Sequence, residues 1–376
     1  MDGRSTTGTD PVSPQAAGVP APAPAPVPEM PAAAAEPHRY PFVFMGTGGE
    51  YFRIWIVNLL LSILTLGIYS AWAKVRREQY FHRNTFLDGS PLDYHGRPAA
   101  ILKGRLIAAV LFLALSVAQR IDPRVYLVLL LVLAPIIPWM IVRTFRFRAV
   151  NTSYRGLRFD FVGRYRQALT TFVGLPLLVA LTGGLLAPYW IRRQKKFVLD
   201  HLTFGTSRFS CQASTGGFYR IFGILFLLVF GAVAGMTALA GVLKPWASGA
   251  HAPYLAGIVT GLGTLAYLLV ILGTVPYWQV ATTNHIWNHT RLGEHQFSSS
   301  LRLGPYVGIV VTNWLATLVT LGLYWPWAQM RLANYRAAQT SVVVTGSLDR
   351  FVAAESAQVT AVGEEMADLF DFDVSL

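Results

Sequence analysis

Residues 65–85 read TLGIYSAWAKVRREQYFHRNT, and residues 320–340 read TLGLYWPWAQMRLANYRAAQT. The two stretches align without a gap at an offset of 255. Thr65/Thr320, Gly67/Gly322, Tyr69/Tyr324, Trp72/Trp327, Arg76/Arg331, Tyr80/Tyr335 and Thr85/Thr340 coincide. Asn58 and Asn313 match at the same offset, inside the apolar run that precedes each stretch. A weaker copy lies between them. At an offset of 138, Thr182 matches Thr320, Gly184 matches Gly322, Pro188 matches Pro326 and Arg193 matches Arg331. At that offset Pro138/Pro276, Thr152/Thr290 and Phe159/Phe297 also agree. Two registers with shared punctuation signal internal duplication, which has to be settled before a fold is assigned.

Outward from these stretches, apolar runs occupy Ile54–Ala73, Leu106–Gln119, Val125–Val142, Ala168–Trp190, Ile221–Leu243, Tyr254–Trp278 and Tyr306–Ala328. A helix that crosses a bilayer needs about 20 residues. Six runs qualify on length, and Leu106–Gln119 does so if Ile101–Arg105 extends it, with Lys103 and Arg105 snorkelling to the headgroups. Composition agrees: 53% of the 376 residues are hydrophobic and 13% charged, with a mean hydropathy of +0.43. Soluble domains carry about 25% charged residues. A disordered chain, a coiled coil and most soluble enzymes are thereby excluded.

The expected fold is an all-α, multi-pass helical membrane protein with short flanking β-strands and three internal repeats. The repeat copies fall at about 42–95, 159–211 and 297–352, separated by helical hairpins at 101–142 and 221–278. FVFMG at Phe42, LRFDFVG at Leu157 and the turn glycines Gly89, Gly205 and Gly346 suggest the strands. Residues 1–38 are Pro/Ala-rich and read as a disordered arm, with no apolar stretch of the kind a signal peptide needs. Residues 353–376 form an acidic tail, either disordered or a short amphipathic helix.

TLGIYSAWAKVRREQYFHRNT followed by LDGSPLDYHG resembles the YjgN-like family of bacterial inner-membrane proteins, over roughly residues 40–350. The middle copy departs from the pattern, with Gly183 and Gly184 in place of Leu-Gly and without the tyrosine that follows. The resemblance implies a multi-pass inner-membrane location and carries no catalytic residues with it.

Charge sets the sides. Residues 1–38 have a net charge of −3 and residues 351–376 of −6, leaving +21 on the core, from 30 bases and 9 acids. These bases cluster beside apolar runs, where the positive-inside rule places them, so no nucleic-acid partner is expected. If each copy crosses once, the chain has seven spans and twelve bases lie outside. If each copy turns back at Thr65–Gly67, Thr182–Gly184 and Thr320–Gly322, only Arg120, Arg124 and Lys244 do. The re-entrant arrangement is favoured, with the basic segments and the C-terminus in the cytoplasm. The short returning arm from Ile68 to Ala73 speaks for single crossings.

Little chemistry is on offer. No carboxylate falls inside an apolar run, which argues against a proton-coupled carrier. His285, His289 and His295 lack a third ligand at zinc spacing, and Cys211 is the one cysteine, so no metal is expected. No nucleophile elbow or phosphate loop occurs; neither an enzyme nor a cofactor is expected.

Two groups of residues stand out. Asn58 and Asn313 form either a polar centre or interhelical glue. Trp72, Arg76, Arg77, Lys195, Lys196, Trp327 and Arg331 either hold anionic lipid headgroups or only anchor the protein at the interface. The leading expectation is permeation or transport of a small solute or ion. The alternative is a lipid-interacting or scaffolding envelope protein without transport activity, with membrane lipids as its partners.

Overall fold

The structure, a computed structural model, describes residues 37–244 and 252–371. Short strands alternate with helical hairpins. The elements are β1 (Pro37–Phe44), α1 (Gly48–Leu64), α2 (Ser70–Arg83), β2 (Thr85–Leu87), β3 (Ser90–Tyr94), α3 (Pro98–Ile121), α4 (Pro123–Leu133) and α5 (Ile136–Val150). Next come β4 (Thr152–Tyr154), β5 (Leu157–Phe161), α6 (Tyr165–Leu169), a π-helical turn (Thr170–Gly174), α7 (Leu175–Leu181), α8 (Ala187–Asp200), β6 (Leu202–Phe204) and β7 (Ser207–Cys211). The chain ends with α9 (Thr215–Leu243), α10 (Ala252–Trp287), β8 (Thr290–Leu292), β9 (His295–Ser299), α11 (Leu303–Val319), α12 (Trp325–Ala338), β10 (Thr340–Thr345) and α13 (Leu348–Asp371).

Every strand pairs with its neighbours in the chain, and β10 pairs with β1, closing a ten-stranded antiparallel barrel. The expected all-α fold with merely flanking strands is therefore wrong: the architecture combines helices with one closed sheet. A three-residue strand such as Thr85–Leu87 cannot stand as an open edge, and closure pairs every edge. That closure joins residues hundreds of positions apart, so no local pattern announces it.

Pairing brings both ends of every helical hairpin to one rim: Phe44 faces Thr85, Tyr94 faces Thr152, Phe161 faces Leu202, Cys211 faces Thr290 and Ser299 faces Thr340. Tight turns occupy the other rim. Asp88-Gly89 and Arg155-Gly156 have φ of 47° and 69°, and 50° and 82°, as a two-residue type I′ hairpin turn requires.

All five junctions share one construction. The N–H just past the outgoing strand (Met45, His95, Val162, Gln212, Ser300) donates to the carbonyl just before the returning one (Asn84, Asn151, His201, His289, Gln339) at 2.7–2.9 Å. Fourteen residues before the returning strand stands a buried Ala71, Pro138, Pro188, Pro276 or Pro326. Five β-hairpin-β units stand where three copies were expected.

Alternation fills the barrel. Leu87, Tyr154, Phe204, Phe209, Leu292, Phe297, Val342 and Val344 form its core with Leu348 and Val352 of α13. Burying each phenylalanine contributes roughly 2–3 kcal/mol. On β5, β7 and β9 the intervening positions are polar: Arg158 and Asp160, Arg208 and Ser210, and Gln296 and Ser298. A lipid-facing barrel has its apolar band outside; this one is built to meet water. Eight strands leave a bore that side chains just fill, and here α13 closes the wider one.

The seven apolar runs resolve into two kinds. Four lie in α3, in α4 with α5, in α9 and in α10. α3, α9 and α10 are long and apolar enough to cross a bilayer, and α4 with α5, bent by 46°, would make a fourth span. The other three, Ile54–Ala73, Ala168–Trp190 and Tyr306–Ala328, each break into two packed limbs: α1 with α2, α6–α7 with α8, and α11 with α12. α1 and α11 have 17 residues, and α2, α8 and α12 have 14.

The breaks share one geometry. Thr65 Oγ1 donates to the Leu61 carbonyl at 2.7 Å and accepts the Tyr69 N–H at 2.9 Å, and Thr320 repeats this with Ala316 and Tyr324. Thr182 Oγ1 donates to the Leu178 carbonyl at 2.8 Å. Leu66-Gly67, Gly183-Gly184 and Leu321-Gly322 then reverse the chain in the left-handed region.

The arm expected at 1–38 lies outside the described residues up to residue 36, and Pro37 and His38 open β1. The tail expected at 353–376 enters α13 as far as Asp371; residues 372–376 lie outside the described residues.

Candidate functional site

Positive charge gathers where the helices leave the barrel. On the short hairpins it returns about two turns beyond each bend: Lys74, Arg76 and Arg77 on α2, Arg192, Arg193, Lys195 and Lys196 on α8, and Arg331 on α12. Aromatic rings share this level. Tyr69 and Trp72 stack with centroids 6.1 Å apart, the Arg76 guanidinium lies 5.9 Å over Tyr69, and that of Arg77 lies 5.6 Å over Phe81. Trp72, Arg76, Arg77 and Lys195 are exposed and able to meet a ligand.

Three other expected contacts are committed to the fold. Lys196 Nζ donates to the Cys211 carbonyl at 2.9 Å and pairs with Asp200 at 2.7 Å. Trp327 is wedged between the first and last hairpins, 5.0 Å from Phe52 and against Gly48, where a Cβ would fall 2.1 Å from its ring. Arg331 donates to Asn313 Oδ1 at 2.9 Å and to Thr312 Oγ1 at 3.2 Å.

Asn58 and Asn313 are both buried, but they are not equivalent. Asn313 Nδ2 donates to the Ala328 carbonyl at 3.0 Å while its Oδ1 accepts from Arg331. Asn58 Oδ1 is buried without a partner. The three histidines are not brought together: His285 and His289 follow each other along α10 and the junction after it, whereas His295 packs on Phe351 at the turn rim. Among the described residues, no group of three or more His, Cys, Asp or Glu is placed to hold a metal.

A second polar cluster, missed in the sequence, lies at the turn rim under α13. Arg155 donates to Ser90 Oγ at 2.9 Å and pairs with Asp88 at 2.9 Å and with Asp349. Glu355 accepts the Thr206 and Ser207 N–H groups at 2.6 and 3.1 Å. Burial alone would raise the Glu355 carboxyl, but hydrogen bonds from Ser207 and Thr206 outweigh it and hold the group below its ordinary value. Burial pushes the Tyr154 phenol up to about 12, and its hydroxyl donates to the Leu87 carbonyl at 2.8 Å. The one local signal here was the pair of turn dipeptides, Asp88-Gly89 and Arg155-Gly156. Two open depressions flank the cluster, of about 460 and 390 Å³, lined in part by Asp93, His95 and Arg155 and by Glu294, His295 and Phe351. Neither is lined by Asn58 or Asn313.

No solved structure matches the chain. The inner membrane protein YjgN of Salmonella typhimurium strain LT2 is 28% identical over 363 residues, covering 84% of this chain and 91% of that protein. Its namesakes in Escherichia coli O157:H7 and K12 are each 25% identical, covering 82% of this chain and 89% of theirs. The location in that name agrees with three helices long and apolar enough to cross a bilayer. The profile of the family described as "Bacterial protein of unknown function (DUF898)" matches residues 39–369. All five hairpins and all of the barrel except Pro37 and His38 lie within that match, and the chain belongs to this YjgN-like family of bacterial inner-membrane proteins.

Proposed function

We propose that the protein is a lipid-interacting component of the bacterial inner membrane, with its barrel in the cytoplasm and its three short hairpins entering only the facing leaflet. The observation that carries this is the contrast between hairpin tips. The short hairpins end in bare hydrocarbon: Leu66 and Leu321 are each 94% exposed and Leu181 82%. In water each such side chain would forfeit roughly 1.5–3 kcal/mol of burial. The long hairpin of α3 and α4 ends instead in Arg120, Asp122 and Arg124, a tip suited to water.

Length supports the same depth. The apolar part of α1, Ile54–Leu64, spans about 16 Å at ~1.5 Å per residue. That is close to half of the ~30 Å hydrocarbon core. Arginine and lysine then return at headgroup level on α2 and α8, on the side that the positive-inside rule makes cytoplasmic. A polar barrel surface suits that compartment.

Extraction of the full chain into polymer-bounded native membrane discs tests the reading. Anionic phospholipid is expected to be enriched at least about twofold over the bulk membrane, and to fall towards it when Arg76, Arg193 and Lys195 are changed to Gln. Bulk composition around the unaltered protein refutes it.

A second reading, permeation of a small solute or ion, draws on the unpartnered Asn58 Oδ1. In lipid a bare amide oxygen is costly unless water or solute reaches it. Solute flux into proteoliposomes that is abolished by Asn58→Leu would favour it; flux indifferent to Asn58→Leu and Asn313→Leu together would remove it.

A further inference from the structure

The depression of about 390 Å³ at the turn rim lies where β10 gives way to α13. Glu294 of the β8–β9 turn, His295 of β9, and Gly346, Ser347 and Arg350 around the start of α13 line it. His295 is 7% exposed and, among the described residues, is the only buried histidine. Its Nδ1 accepts the Thr345 N–H at 3.3 Å, so the proton of the neutral ring sits on Nε2. Nε2 has no partner among the described residues, yet it is not sealed inside: the buried side-chain polar atoms without a partner are Asn58 Oδ1 and Gln329 Oε1. The Nε2–H therefore opens on the depression that the ring lines.

Positive potential gathers at the same wall. α13 is 24 residues long, and its first turn begins here. Ser347 Oγ accepts the Arg350 N–H at 3.3 Å, while the Leu348 and Asp349 N–H groups have no acceptor among the described residues. Such a helix end favours an anion through its free N–H groups and its dipole. The Asp349 carboxylate does not fill that role, because it pairs with Arg155. Many bases of this chain lack an ion pair; Arg350 differs in sharing one cavity with a helix start and a buried imidazole donor. We propose that His295, Arg350 and the start of α13 bind the phosphate group of a small soluble compound.

A tetrahedral phosphate accepts from several directions at once, two oxygens to a guanidinium fork and another to an imidazole N–H. Glu294 is the one acid in the lining. A phosphate that keeps one proton donates it to that carboxylate, which a carboxylate ligand cannot do. The volume falls in the range of small-molecule sites, with room for the organic part of a phosphomonoester. The turn rim is the end of the barrel opposite the hairpins, so the compound arrives from solution rather than from the bilayer. Its compartment rests on the membrane placement proposed above; the phosphate chemistry does not.

The test uses the full chain in detergent, with binding of inorganic phosphate and of glycerol 3-phosphate measured by calorimetry and free glycerol as the neutral comparison. The variants are Arg350→Gln, His295→Phe and Glu294→Gln. The control is Arg158→Gln, an exposed arginine that lines the other depression. Thermal melting reports folding. Arg350 is exposed and its side chain bonds to nothing among the described residues, so Arg350→Gln serves alone if His295→Phe melts early.

Saturable binding that falls at least about tenfold in Arg350→Gln and about fivefold in His295→Phe, but less than about threefold in Arg158→Gln, establishes the site. Glu294→Gln is expected to leave binding unchanged or tighter. Glycerol 3-phosphate held at least about tenfold more tightly than inorganic phosphate makes the ligand a phosphomonoester, and equal affinity makes it free phosphate. No saturable binding of either compound, equal weakening in Arg350→Gln and Arg158→Gln, or weakening in Glu294→Gln alone overturns the proposal. No bilayer enters the measurement, so its outcome is separate from that of the membrane reading.

Discussion

Glu355 and Ser207, 148 residues apart in the chain, are joined by two hydrogen bonds across the turn between β6 and β7. One carboxylate oxygen accepts the amides of Thr206 and Ser207, and the other accepts the Ser207 hydroxyl. This contact pins α13 over the barrel mouth. Glu355→Ala leaves two amides without their acceptor, and hydrogen bonds to a charged group contribute about 1.5–3 kcal/mol each. The expected loss is about 2–4 kcal/mol in denaturant unfolding, with earlier proteolysis inside α13. Glu355→Gln retains part of it.

Acid is expected to loosen the same helix. His295 packs edge-on against Phe351, centroids 4.3 Å apart, and its Nδ1 accepts the Thr345 N–H at 3.3 Å. Burial pulls its imidazole below the ordinary 6.5, with Glu294 and Glu355 opposing. A histidine held neutral in the folded state contributes stability that is fully present above about 6.5 and is lost as the pH falls through its folded value. Glu355, also depressed, follows only below about 4.5. Proteolysis of α13 against pH should therefore rise in two steps, and His295→Gln should remove the upper one.

Glycines 48 and 49 are neighbours with opposite constraints. A Cβ on Gly48 would fall 2.1 Å from the Trp327 ring, whereas one on Gly49 meets nothing within 4 Å. Gly48→Ala should cost about 1–3 kcal/mol through overpacking of the seam between α1 and α12. Gly49→Ala should be neutral or stabilise by up to about 1 kcal/mol through helix propensity. Melting temperatures of the two variants decide the point.

Asn58 and Asn313 match in sequence and differ in bonding, so their leucine variants should differ too. Asn58→Leu removes a buried oxygen that has no partner and should be neutral or mildly stabilising. Asn313→Leu takes an acceptor from Arg331 and a donor from the Ala328 carbonyl, at an expected cost of about 1–2 kcal/mol. Unfolding in detergent separates the two.

The bends at Thr65, Thr182 and Thr320 were legible because their chemistry is local: a threonine that caps its own helix, then a glycine at positive φ. The barrel was not. Thr85–Leu87 and Thr152–Tyr154 are too short to show alternation, and pairing of β1 with β10 joins residues about 300 apart. One trace of the fivefold pattern was available, the buried Ala71, Pro138, Pro188, Pro276 and Pro326 standing fourteen residues before each returning strand. Only two pairs of these coincide at the offset of 138, so the sequence suggested three copies where there are five units.

Of the candidate site, the basic and aromatic residues were readable by position but not by commitment. Lys196 and Trp327 are spent on Asp200 and Gly48, contacts set by how neighbouring elements pack. The clasp between Arg155 and Asp349 spans 194 residues and leaves no mark within any window of the chain.

Depth of the hairpin tips tests the central claim most directly. A single bimane-labelled cysteine at Leu66, Leu185 or Leu321, in a Cys211→Ala background, is reconstituted with lipids brominated at graded acyl positions. Quenching strongest near the bilayer midplane, with the same positions closed to membrane-impermeant thiol reagents on both faces, is the predicted result. Labelling from the periplasmic face, at the level where Arg120 is labelled, would contradict it.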